Sequence, residues 1–211
     1  MDNLKEMIAK CRQMVESIYN KYDASHDLDH IDRVMKNAEK ILLTEPTADE
    51  LVVRLAVLLH DIEDAKYESL HEATTLEMLK QIGASEDLSA NVMSAIESVS
   101  FNGGHSKEIT SIEGAIVRDA DRLDAIGAIG IARAFAFGGA RGRKLYDLEE
   151  EARRSMSASE YRSKETASVT HFHEKLLLLK DLMVTEEGIR LAKERHHFMV
   201  LFLNELKKEI D

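Results

Sequence analysis

The sequence predicts an all-α protein, a single helical bundle with a mobile excursion around residues 138–164. Three observations predict it. Leu, Ala, Glu, Lys and Met are abundant, while proline occurs once, tryptophan is absent and aromatic residues are 5% of the chain; this composition favours helices over sandwiches or barrels. Apolar residues recur at three- and four-residue spacing in segment after segment. No repeat or long linker divides the 211 residues, so they read as one domain, residues 1–211, with a core large enough to need no staples.

The elements follow in order. Residues 3–22 are predicted helical, with Leu4, Met7, Ile8, Cys11, Met14, Val15 and Ile18 on one stripe. A second helix covers about 25–43, with Ser25 as its N-cap. His26, His30 and Arg33 share one face of it, and Ile31, Val34, Ala38 and Ile41 keep it packed. The third helix, about 48–64, follows Pro46, with Thr47 as cap and Glu50 completing a capping box. It is apolar nearly all round from Leu51 to Leu59, the mark of an enclosed central helix. Helices are expected at 68–82, ending at Gly83, and at 85–99, starting from Ser85. Residues 100–107 contain Gly103-Gly104 and read as a loop, with His105 and Lys107 as possible substrate contacts.

A long helix is expected at about 111–137, continuing through Gly127 on small residues. From Gly138 the composition turns glycine-rich and basic, then polar, which suggests a mobile surface loop or a flap over an anionic substrate. The C-terminal helices cover about 166–206. Thr185 starts the last of them, and Ile189, Leu191, Ala192, Phe198, Met199 and Phe202 form its core face.

Charge and cysteine usage exclude some roles. A net charge of -11 argues against general nucleic-acid binding. The one cysteine, Cys11, rules out an intramolecular disulfide and fits a reducing cytoplasm. The N-terminal Met-Asp-Asn-Leu-Lys-Glu lacks the pattern of a signal peptide, and no apolar run approaches the ~18 residues of a membrane span. A cytoplasmic protein without membrane or nucleic-acid partners is expected. Its oligomeric state is left open.

The chemistry concentrates at Ala56-Val57-Leu58-Leu59-His60-Asp61-Ile62-Glu63-Asp64, where an apolar run ends in a His-Asp pair. Burying both groups is costly without compensation, and a divalent cation compensates well. Adjacent helical residues diverge by about 100°, so further ligands must come from other helices. His26 and His30 offer one source. The three aspartates at 119, 121 and 124, set among apolar residues, offer another, since clustered Asp is disfavoured in a helix interior.

Three stretches carry a family resemblance: His26-Asp27-x-x-His30-x-x-Arg33-Val34, Leu59-His60-Asp61-x-x-Asp64, and Asp119-Ala120-Asp121-Arg122-Leu123-Asp124-Ala125. Together with Thr170-His171-Phe172-His173-Glu174-Lys175-Leu176 and Arg195-His196, they resemble the HD superfamily of metal-dependent phosphohydrolases, in particular its small bacterial YpgQ/YedJ-like subgroup. The resemblance implies an all-helical HD domain with one metal held by His30, His60, Asp61 and Asp121. Asp121 is chosen because the family's ligand immediately precedes a basic residue and Leu. It also implies nucleotide pyrophosphohydrolysis as the activity.

Two His and two Asp around a divalent ion leave a nearly neutral site with positions for water and a phosphate oxygen. That set suits a six-coordinate ion, Mn2+ before Mg2+, Co2+, Ni2+, Fe2+ or Zn2+. Asp64 could accept a proton from water, and His26, Arg33 and Arg122 could neutralise phosphate charge. The expected reaction is conversion of a (d)NTP to monophosphate and pyrophosphate. A nucleoside 5'-monophosphatase or a non-catalytic nucleotide-binding module are the alternatives.

Overall fold

The computed structural model describes residues 2–23, 26–64, 73–99, 108–153 and 166–210. Among them the chain is all helical, without a strand: α1 (Asp2–Tyr19), α2 (Leu28–Leu42), α3 (Glu50–Leu59), α4 (Thr75–Gln81), α5 (Glu86–Glu97), α6 (Ile112–Asp124), α7 (Gly127–Ala140), α8 (Ser168–Glu174), a 3-10 segment (Leu176–Leu182) and α9 (Glu186–Ile210). No single helix among the described residues is long and apolar enough to cross a membrane. The described residues up to 99 together with 108–121 form one compact unit, and 122–153 with 166–210 form another.

The first unit is built around α3, which packs against α1, α2 and α5. Val53, Leu55, Ala56, Val57 and Leu59 are fully buried on this short helix, which explains its apolarity all round. Cys11 is buried among them on α1, and burial pushes its thiol up to about 12, so it behaves as a small core residue. Polar links fix the helices. Arg12 grips both carboxylate oxygens of Asp32 on α2, and Arg54 on α3 reaches Glu39 on α2 at 2.7 Å.

Several caps differ from expectation. Asp27 caps α2, its side chain accepting from the His30 amide at 2.9 Å. The expected cap, Ser25, lies outside the described residues. On α3 the cap is Asp49, accepting from Leu51 N at 2.9 Å, in place of Thr47. Its own amide donates to Glu113 on α6, a tertiary bond that local pattern could not reveal. Glu50 thereby becomes the first helical residue and no capping box forms there. The box occurs on α4 instead, between Thr74 and Glu77. The start of the helix expected at 68–82 and the loop 100–107 with His105 and Lys107 lie outside the described residues. Ser85 caps α5 as the sequence suggests.

The second unit packs α9 against α7 and the 3-10 segment, with α8 alongside. Its centre holds three phenyl rings, Phe135 of α7, Phe172 of α8 and Phe202 of α9, with centroids 5.8–6.1 Å apart. Phe198, expected in the core, is 49% exposed, because the ring four residues further on takes the inward position. The helix expected to run unbroken through 111–137 stops at Asp124 and restarts at Gly127. Gly127 has φ +77°, a conformation L side chains disfavour, and a Cβ there would lie 3.0 Å from Arg195.

The stretch read as a mobile excursion begins as helix, since Gly138–Ala140 close α7. Residues 141–153 are then tied down. Ser168 N and Val169 N donate to Lys144 O and Leu145 O at 3.0 Å, and Arg153 pairs with the buried Glu174 at 2.6 Å. Residues 154–164 lie outside the described ones. Helix 166–183 is likewise split, with α8 giving way to a 3-10 segment at Lys175. Thr185 caps α9 through Gly188 N at 3.1 Å.

Candidate metal centre

α3 ends at Leu59, so the His-Asp pair does not continue the helix as expected. His60 is its C-cap, and Ile62 N bonds back to Leu59 O while Asp64 N bonds back to Asp61 O. This tight turn cancels the angular divergence of neighbouring helical residues. The Asp61 Oδ2 atom comes within 3.5 Å of His60 Nε2. Tyr19, the last residue of α1, and Tyr22, just beyond it, hold the turn. Tyr19 donates to Leu58 O at 2.9 Å, and Tyr22 donates to Ile62 O at 3.4 Å, one on each side of the pair. Sequence reasoning missed both. Their only signal was a pair of tyrosines at the end of an otherwise aliphatic helix.

His60 Nδ1 donates to Val57 O at 2.9 Å, which leaves the Nε2 lone pair pointing at the cluster. From α2, buried His30 brings its Nε2 to 3.4 Å from Asp61 Oδ2. From α6, Asp121 Oδ1 lies 3.6 Å from His30 Nε2 and 3.8 Å from His60 Nε2. α6 is held in this register by Asn37 of α2, which donates to Ala120 O at 3.0 Å. Asn37 was also missed, although a buried-face asparagine between Val34 and Ile41 is a legible hint.

Each of the four atoms thus lies within 3.8 Å of two of the others. Ligand atoms about 2.0–2.2 Å from one ion stand roughly 3–4.4 Å from each other, and all four spacings here fall in that range. His60 Nε2 and Asp61 Oδ2 are buried and have no hydrogen-bond partner. Buried polar atoms left in that condition are costly unless a cation satisfies them. The donor set, two imidazoles and two carboxylates, suits a divalent transition metal.

The charges are strongly coupled. For His60, burial opposes protonation, but Asp61 and Asp121 outweigh it and lift the imidazole to about 9. For Asp61, burial opposes ionisation, but His60 and His30 outweigh it and hold the carboxyl far below the usual range. Asp121 is lowered for the same reason. The pocket keeps its carboxylates ionised and attracts positive charge.

Of the three aspartates of α6, only Asp121 enters the clusters of possible ligands among the described residues. Asp124 pairs with Arg133 at 2.6 Å. His26 precedes α2, its ring 5.8 Å from that of His30. It stands with Asp61 and Asp64 in a second group whose potential ligand atoms lie within 4.8 Å of one another. Arg33 follows His30 by one turn of α2. Arg122, expected to contact phosphate, is buried, and its Nη1 donates to Leu182 O at 2.7 Å.

The HD domain family model matches residues 27–126. The Bacillus subtilis protein YpgQ is 39% identical over the whole chain and 96% of its own length. A crystal structure of YpgQ in complex with ADP superposes with a TM-score of 0.79 at 35% identity, covering 99% of this chain and 97% of that one. A Bacillus thuringiensis HD-superfamily hydrolase gives a TM-score of 0.75 at 36% identity, covering 98% and 97%. A Lactobacillus plantarum protein superposes at 0.85 with 32% identity, covering 96% of each.

Proposed function

The chain belongs to the HD-domain family of metal-dependent phosphohydrolases, and we propose that it hydrolyses nucleoside triphosphates to monophosphate and pyrophosphate. The observation that carries the reading is the convergence of His30, His60, Asp61 and Asp121, with His60 Nε2 and Asp61 Oδ2 buried and unpartnered. These four residues would hold one divalent ion, for which a Mn-like six-coordinate metal is the best match. A divalent ion held there supplies Lewis acidity, acidifying water and drawing charge from a phosphoryl oxygen.

The chain's own groups do the rest. Val57 O fixes the His60 tautomer. Asp64, the carboxylate that closes the turn, accepts the proton from water. Arg33 balances phosphate charge. Arg122 we assign to holding Leu182, since its buried guanidinium is already bonded to that carbonyl. The crystallisation of a relative with ADP supports a nucleotide ligand. The buried lone cysteine supports a cytoplasmic setting.

The test is a metal-by-substrate screen. Metal-stripped protein is resupplied with Mn2+, Co2+, Ni2+, Mg2+ or Zn2+ and offered dNTPs, NTPs, dNMPs and a generic phosphoester, with Asp61→Ala as control. Pyrophosphate release that falls at least about 10³-fold in the variant is expected. Orthophosphate from monophosphates alone would replace this reading with a nucleotidase. Silence with metal bound would leave the binding module.

A further inference from the structure

The glycine-rich basic stretch that closes α7 carries two arginines without a carboxylate partner. Other cations of the second unit are paired: Lys144 with Asp147 at 2.7 Å, Arg153 with Glu174 at 2.6 Å and Arg190 with Glu187 at 2.7 Å. Among the described residues Arg141 and Arg143 make no such pair, in a chain of net charge -11. Both stand over the ring of Phe137 instead, their guanidinium carbons 3.5 and 5.3 Å from its centroid. An aromatic face steadies a guanidinium but leaves its N–H groups available to an anion. Arg143 Nε is buried with no hydrogen-bond partner. Ser168, 3% exposed, has an Oγ in the same condition. The two residues meet over Gly138, where a Cβ would lie 2.2 Å from Ser168 Oγ and 3.7 Å from Arg143 Cβ. The frame is fixed by backbone bonds: Arg143 N donates to Gly138 O at 2.9 Å, and Ser168 N to Lys144 O at 3.0 Å. His171 follows Ser168 by one turn of α8, and Lys175 follows His171 by another. Burial, Lys175 and Arg143 together lower His171 to about 4, so both positive charges are felt on this face.

We propose that Arg141, Arg143, Ser168 and Lys175 form a binding site for a phosphate group. A phosphate offers more acceptor oxygens than a carboxylate and more negative charge near neutral pH, which suits guanidinium, ammonium and hydroxyl donors gathered together. Its oxygens satisfy both buried groups at once, Arg143 Nε and Ser168 Oγ. Two sources share this chemistry: the phosphate tail of a nucleotide and a separate phosphorylated metabolite.

The proposal does not depend on the metal-centre reading, so it is tested on the full chain stripped of metal. Inorganic phosphate is titrated by calorimetry at constant ionic strength, while the His171 ring, assigned with His171→Gln, is followed by nuclear magnetic resonance. One saturable equivalent is expected. With phosphate bound, His171 should titrate at a higher pH, because an anion offsets Lys175 and Arg143. Arg143→Gln and Ser168→Ala should each weaken binding at least about tenfold. Ser168→Ala removes a hydroxyl that has no partner, so this variant should fold as well as the unaltered chain. If a nucleotide is the source, ATP displaces phosphate, and Arg143→Gln raises KM for the nucleotide with kcat unchanged. If a separate metabolite is the source, phosphate binding survives saturating ATP. Absence of saturable phosphate binding, undiminished affinity in either variant, or an unmoved His171 would each overturn the site, and none of these outcomes bears on the four metal ligands.

Discussion

At the scale of single residues, the balance of burial and neighbouring charge sets what each histidine can do. His60 and His171 move in opposite directions. His60 faces carboxylates and rises. His171, on α8, is lowered to about 4 by burial and by the nearby cations Lys175 and Arg143. In the unfolded chain an imidazole titrates near 6.5. Between about 6.5 and 4 the unfolded state therefore takes up a proton that the folded state refuses. The contribution of neutral His171 is fully present above 6.5 and is lost as pH falls towards 4. Thermal melts at successive pH values should show a loss worth about 1–2 kcal/mol across this window, discounted for partial solvent access. His171→Gln should remove that part of the slope, and parallel profiles for the two proteins would refute the assignment.

At the scale of elements, the centre depends on bonds between helices more than on the helices themselves. The end of α1 and the turn after it hold the His-Asp turn through Tyr19 and Tyr22. α2 holds α6 through Asn37, which donates to the carbonyl of Ala120, one residue before Asp121. Asn37 is 4% exposed, and its loss would leave the Ala120 carbonyl without this donor. Asn37→Ala should cost about 1–3 kcal/mol of stability. It should also weaken Mn2+ binding several-fold, as changes behind a metal ligand do. Denaturant melts with a parallel metal titration check both effects, and a destabilised protein with undiminished metal affinity would assign Asn37 to packing alone.

At the scale of the whole molecule, metal binding and stability are linked. All four proposed ligands belong to the first compact unit, and they come from α2, the turn after α3, and α6. An ion that binds only the folded chain stabilises it by about 2.7 kcal/mol at a hundred times its dissociation constant. For a chain of this size that corresponds to a rise in melting temperature of roughly 5–10 °C. Scanning calorimetry with Mn2+ and with a chelator should show the difference, and Asp61→Ala should abolish it. An equal shift in the variant would mean that the stabilising ion sits elsewhere.

The sequence by itself determined the helical class, the order of the chemistry-bearing residues and some of the caps. Ser85 and Thr185 cap where local pattern places them, and the apolar run of α3 is central because it has no polar face. These features are local, since they depend on residues a few positions apart. Only the tertiary structure decided where the side chains aim. α3 stops at Leu59, and the turn beyond it sends His60 and Asp61 to one point. His26, outside α2, meets Asp61 and Asp64. Asp49 displaces Thr47 as a cap while its amide bonds Glu113. Gly127 breaks a helix that periodicity would continue. In each case the deciding partner is distant in sequence or lies past a helix end, where helical periodicity no longer governs side-chain direction.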